Sequence, residues 1–77
     1  MEIQVELLGE LAAYSPTGER KLILSSDGGI TLEDLLFRLD FLSNVEKICL
    51  VNGFYSSRGK TLEEGDLVTI FPIVDGG

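Results

Sequence analysis

The groups in this chain best placed to do chemistry have no side chains. They are Gly76 and Gly77, which follow closely on an apolar run, Leu67-Val68-Thr69-Ile70-Phe71-Pro72-Ile73. Glycine lacks a Cβ and tolerates backbone angles closed to other residues. A tail ending in two glycines therefore threads a channel too narrow for any side chain, with a terminal carboxylate at its tip for a partner to reach. Extended from Pro72 to Gly77, such a tail spans roughly 20 Å at about 3.3–3.6 Å per residue. The leading expectation is that the main-chain end is itself the functional group. A frayed end is the bland alternative, because glycine pairs are common: Gly28-Gly29 reads as an ordinary turn.

The side chains offer little in competition. The chain has no histidine and a single cysteine. That removes a zinc finger, a Cys–His nucleophile pair, a Ser–His–Asp triad and a histidine general base. Cys49, between Ile48 and Leu50, reads as a small buried hydrophobe rather than a sulfur relay. Glu63, Glu64 and Asp66 stand in a turn, where adjacent acids form a solvated edge more often than a metal or acid–base pair. Neither a metal nor a bound cofactor is expected.

Seventy-seven residues make one domain, one that buries about 60% of its unfolded surface by size scaling. The net charge of −7 would be repelled by phosphate backbones, so nucleic acid is not an expected partner. It suits solubility, and docking on a basic protein. No apolar run approaches the length of a membrane span, and Met1-Glu2-Ile3-Gln4 lacks the basic region of a signal peptide. With one unpaired cysteine, these features place the expected compartment in the cytoplasm.

The elements that must carry the tail are legible from periodicity. Ile3, Val5 and Leu7 alternate with Glu2, Gln4 and Glu6, a half-buried strand. Residues 8–18 break that pattern and end on Pro16 and Gly18, which reads as a long hairpin connection with at most one loose turn. Lys21-Leu22-Ile23-Leu24-Ser25 is then an antiparallel second strand. Thr31, with Asp34 three residues on, starts a helix predicted over residues 32–41. Its stripe of Leu32, Leu35, Leu36 and Leu39 faces the sheet as core, not as a cofactor box.

Lys47-Ile48-Cys49-Leu50-Val51 is a covered strand, and Asn52-Gly53 turns it into a short return strand at Phe54-Tyr55. Glu64-Gly65-Asp66 leads into the last strand, residues 67–73. Two hairpins and one helix predict an α+β fold: a β-grasp (ubiquitin-like) roll, with a mixed sheet of four to five strands and one main helix on one face. The domain is expected over residues 1–72 and a flexible tail over 73–77. A ferredoxin-like alternative would need a second helix, for which there is no apolar stripe.

Val51-Asn52-Gly53, Leu62, Glu64-Gly65-Asp66, Val68, Phe71-Pro72 and Gly76-Gly77 together resemble the MoaD/ThiS family of ubiquitin-like sulfur carriers. The motifs cover residues 47–77, and the length and element order cover the whole chain. The resemblance implies that an E1-like enzyme uses ATP to convert Gly77 to an acyl-adenylate. A persulfide sulfur then displaces AMP, and a thiol that cleaves the resulting acyl disulfide leaves a thiocarboxylate for a second enzyme to consume. Gly76 lets the tail enter both partners, and Phe71, Pro72, Ile73, Val74 and Asp75 form the docking segment.

In that picture the chain is a co-substrate and not an enzyme. The long first hairpin connection and Phe71-Pro72 look most like the small subunit of molybdopterin synthase, whose large subunit would accept the sulfur. Thiamine thiazole formation, tRNA thiolation and protein modification are the alternatives, beside a plain interaction module with an inert tail. Two positions depart from the family pattern. Ile73 stands where many molybdopterin-type carriers have a second proline, and Asp75 where a small apolar residue is usual. Phe71 is left with two readings, partner contact or core, because alternation puts apolar residues on both faces of the last strand.

Overall fold

The computed structural model describes residues 1–73. Val74, Asp75, Gly76 and Gly77, which carry most of the expected tail, lie outside the described residues. The period of two at the N-terminus forms β1 (Glu2–Leu7), with Ile3, Val5 and Leu7 fully buried. β2 (Lys21–Ser25) pairs with it antiparallel, Leu24 opposite Ile3 and Leu22 opposite Val5. β3 (Lys47–Val51), β4 (Phe54–Tyr55) and β5 (Leu67–Pro72) complete a sheet of order β2-β1-β5-β3-β4. β5 runs parallel to β1 and antiparallel to β3 at the centre. Among the described residues one α-helix, α1 (Leu32–Arg38), crosses one face. This is the expected β-grasp roll.

The helix begins where its capping residues place it. Thr31 Oγ1 accepts from the Asp34 N–H and Asp34 Oδ2 accepts from the Thr31 N–H, both at 3.1 Å. Two amides that the helix cannot pair internally are thus satisfied. Two more donate into the β4–β5 connection: Leu32 N–H to the Lys60 carbonyl at 2.9 Å and Glu33 N–H to that of Arg58 at 2.8 Å. Leu32, Leu35 and Leu39 are buried and Leu36 half-buried.

The helix stops earlier than its period suggests, at Arg38 rather than residue 41. Leu39 N–H divides between the Leu35 and Leu36 carbonyls, the tightening that ends many helices. A separate 3-10 turn, Asp40–Leu42, follows and drops Leu42 into the core. Lys47 then holds this corner, its Nζ donating to the Leu42 and Val45 carbonyls at 2.8 and 3.2 Å.

Two further differences concern the connections. Residues 8–18 are more than a loop: Gly9–Tyr14 forms a 3-10 helix whose Leu11 is fully buried. A single inward leucine gives no periodic signal, which is why the segment reads as irregular. The last strand ends at Pro72, one residue short of expectation. Proline has no N–H to continue a ladder, and the Ile73 N–H turns to the Glu46 carbonyl at 3.3 Å.

Candidate functional site

Alternation along β5 divides its side chains cleanly. Val68 and Ile70 are fully buried under α1. Leu67, Thr69 and Phe71 point to the opposite face, where no helix lies among the described residues. The register brings Ile48 opposite Phe71 and Leu50 opposite Thr69 on that face. Leu67, Phe71, Ile48 and Leu50 are half-buried and stand outside the core cluster. Tyr55, opposite Leu50, and Ile73, past the end of β5, are 77% and 46% exposed. Phe71 therefore belongs to an uncovered apolar surface and not to the core. Contiguous surface of this kind marks protein contact.

The end of β5 is held from two sides. Gly9 adopts φ +59 against the Pro72 ring, and a Cβ built there would sit 3.2 Å from Pro72 Cγ and 3.3 Å from Cδ. On the other side Pro72 pairs with Lys47, and Ile73 is bonded to Glu46. Pro72 and Ile73 are thus fixed in place at the end of the sheet. Gly9 was invisible as a site residue from sequence, where it is one more glycine after a strand.

The start of β5 is pinned as firmly. Asn52 and Gly53 take φ of 51° and 86°, the left-handed values a tight hairpin requires. The Asn52 N–H donates to the Leu67 carbonyl at 2.8 Å, and Asn52 Oδ1 accepts from the Leu67 N–H at 3.0 Å. Asn52 Nδ2 donates to Asp66 Oδ1 at 2.9 Å, and Asp66 Oδ2 accepts from the Glu63 N–H at 2.8 Å. The Glu63 amide first, and Asn52 second, hold the Asp66 carboxyl below its ordinary value. These residues, which look like a chemical motif, set the register of the strand that leads to the tail.

A family model for the ThiS family matches residues 5–77. The chain belongs to the ThiS family. Among solved structures, SAMP1 from Haloferax volcanii is similar at 27% identity and a TM-score of 0.83, over the whole of both chains. A putative molybdopterin converting factor subunit 1 from Pyrococcus furiosus has a TM-score of 0.85 at 19% identity, over 96% of this chain and 99% of that one. A complex of subunits 1 and 2 of the molybdopterin-converting factor from Helicobacter pylori 26695 gives 0.69 at 20% identity, over the whole of both chains. At those identities the last two establish fold alone. No curated protein matches the sequence.

For a ThiS-family chain the described residues of the expected docking segment, Phe71, Pro72 and Ile73, fall together at the outgoing end of β5. Val74, Asp75, Gly76 and Gly77 lie outside the described residues. Cys49 is half-buried rather than fully buried, on the core side of β3 opposite Ile70. Burial pushes its thiol up from the ordinary value of 9.0. It stays protonated at neutral pH, which suits packing and not sulfur relay. Among the described residues no group of three or more His, Cys, Asp or Glu is placed to hold a metal ion. No helix among them is long and apolar enough to cross a membrane.

Proposed function

We propose that this chain is a sulfur carrier whose Gly77 carboxylate is adenylated by an E1-like enzyme and converted to a thiocarboxylate. Its sulfur is then delivered in molybdopterin biosynthesis. A carboxylate does not exchange oxygen for sulfur unaided, because oxide is a poor leaving group. Adenylation by the partner's ATP replaces it with AMP, which a sulfur nucleophile displaces. The carrier binds no cofactor of its own and acts as co-substrate in the cytoplasm, without catalysing the reaction.

The observation that supports this reading best is the continuity of the uncovered apolar face with the end of β5. Leu67, Phe71, Ile48 and Leu50 lie beside the strand that runs on toward Gly76-Gly77. One surface thus docks a partner and aims the tail into it. The acceptor is an enzyme of the kind represented by a molybdopterin synthase large subunit. A complex of subunits 1 and 2 is what the similar Helicobacter structure contains. Pro72, Ile73, Val74 and Asp75 form the segment that enters the acceptor. Asp75 and Ile73 are the positions that tune which acceptor accepts it.

Intact mass after incubation with the activating enzyme, ATP and sulfide tests the proposal. Replacement of one oxygen by sulfur is expected, and its absence in a variant lacking Gly76-Gly77 completes the result. A mass unchanged in the full chain defeats it. One observation favours a second reading, as a protein modifier: similarity at 26% identity to a structure described as small archaeal modifier protein 1 from H. volcanii. In that case the same incubation with cell extract gives covalent ladders instead.

A further inference from the structure

The sheet has a second unsatisfied surface, at the edge farthest from β4. The Ser26 N–H donates to the Met1 carbonyl at 2.9 Å and the Leu7 N–H to the Arg20 carbonyl at 2.7 Å. With the register of β1 on β2, even-numbered residues of β2 turn their amides toward β1. Lys21, Ile23 and Ser25 turn theirs outward. Among the described residues no strand lies beyond β2. One outward carbonyl, that of Ser25, accepts from the Arg38 guanidinium at 2.9 Å. The outward groups of Lys21 and Ile23 have no partner among the described residues.

Beside this edge runs a trough of about 570 Å³ between β2 and the corner after α1, with Leu22, Leu24, Leu39 and Phe41 in its lining. On the other side of the edge Ile23 is 65% exposed. Three of the chain's six basic residues, Arg20, Lys21 and Arg38, stand at this one edge of a molecule with net charge −7. Glu19 and Asp40 are the acids that border the trough. Arg20 and Lys21 mark one end of the edge, and Arg38 marks the other at Ser25.

We propose that the β2 edge accepts an extended segment of a partner protein as an added strand, apolar at its centre and acidic at both flanks. Its amides pair with Lys21 and Ile23. Its side chains fall alternately into the trough and beside Ile23, and its flanking carboxylates meet Arg20 and Lys21 at one end and Arg38 at the other. A second copy of the chain is the poorer occupant. Two such molecules repel through their net charge. Antiparallel pairing of β2 with itself about Ile23 would also set Lys21 against the position where Arg38 covers Ser25. The site is independent of the tail.

Titration of the amide NMR spectrum with a synthetic peptide, acetyl-Asp-Glu-Val-Ile-Val-Leu-Asp-Glu-amide, tests the proposal. Saturable shifts confined to Lys21–Ser25 and to the residues around Arg38 are expected. Ile23→Pro removes an outward N–H at an edge position where proline is tolerated. Ile23→Lys keeps the backbone but blocks the edge. Each is expected to weaken binding by roughly tenfold or more while thermal unfolding stays cooperative, as is exchange of the peptide's acids for lysines. Deletion of Gly76-Gly77 leaves the titration unchanged. The proposal is overturned by shifts centred on Leu50, Thr69 and Phe71, by no shifts at all, or by equal binding of the lysine peptide. A dimer of the peptide-free protein in sedimentation, with the β2 amides protected, overturns it as well.

Discussion

β1 and β5 lie side by side and run in the same direction, with Val5 opposite Val68 and Leu7 opposite Ile70 in the core. On the uncovered face the two strands part company. β1 presents Gln4 and Glu6 there, and β5 presents Leu67 and Thr69 directly opposite them, then Phe71. Toward α1 both strands obey the same demand, burial of branched apolar side chains. Away from it, only β1 is written for water. Since neighbouring strands share solvent and pleat, the apolar choice on β5 is not a requirement of folding. It marks the half of the sheet proposed above as the docking surface.

Substitutions on either side of β5 separate the two demands. Ile70→Ala should cost about 2–5 kcal/mol in urea unfolding, the range for a fully buried isoleucine, and would leave a domain of this size close to unfolded. Phe71→Ser should leave stability within about 1 kcal/mol, because its ring lies outside the core cluster. The same variant should weaken binding to the sulfur-accepting subunit by roughly 30-fold or more, measured by calorimetry. Equal stability losses at the two positions would erase the distinction.

Asp66→Ala tests whether the hairpin lock serves β5 alone. Loss of the bonds to Asn52 and the Glu63 amide should cost about 1–2 kcal/mol. The folded state depresses this carboxyl, so its contribution is full above the ordinary value of 3.8 and fades as pH falls through the lower folded value. Wild type should therefore lose stability below about pH 4 with a steeper slope than the variant, read from unfolding curves at successive pH values. The smallest effect is expected at Gln4→Leu, within about 0.5 kcal/mol of wild-type stability. Its signature is instead self-association in sedimentation, as the apolar half of the face spreads onto β1.

The core of this comparison was legible from sequence. Period two in β1 and β5, the leucine stripe of α1 and the Asn52-Gly53 turn each state a local rule that the fold obeys. Phe71 stayed ambiguous because alternation assigns faces without saying which face a helix will cover. Leu11 and Leu42 were missed as core because each is a lone inward residue in a 3-10 turn, too short to show a period. Gly9 was missed because its role is a space, the room left for the Pro72 ring. The β2 edge was unreadable for another reason: which strand lies outermost is a property of topology, and β2 looks like any half-buried strand.

Placing β5 between β1 and β3 also governs how the molecule comes into being. β1 waits for β5 before it gains its central neighbour, since Gln4 must find Leu67 some sixty residues along the chain. Such distant pairing slows closure of the sheet. Translation therefore delivers an open hairpin and a loose helix, and the roll snaps shut only once β5 is free of the exit tunnel. A truncated product missing that strand lacks Leu67 and Phe71, and with them the part of the apolar face that β5 supplies.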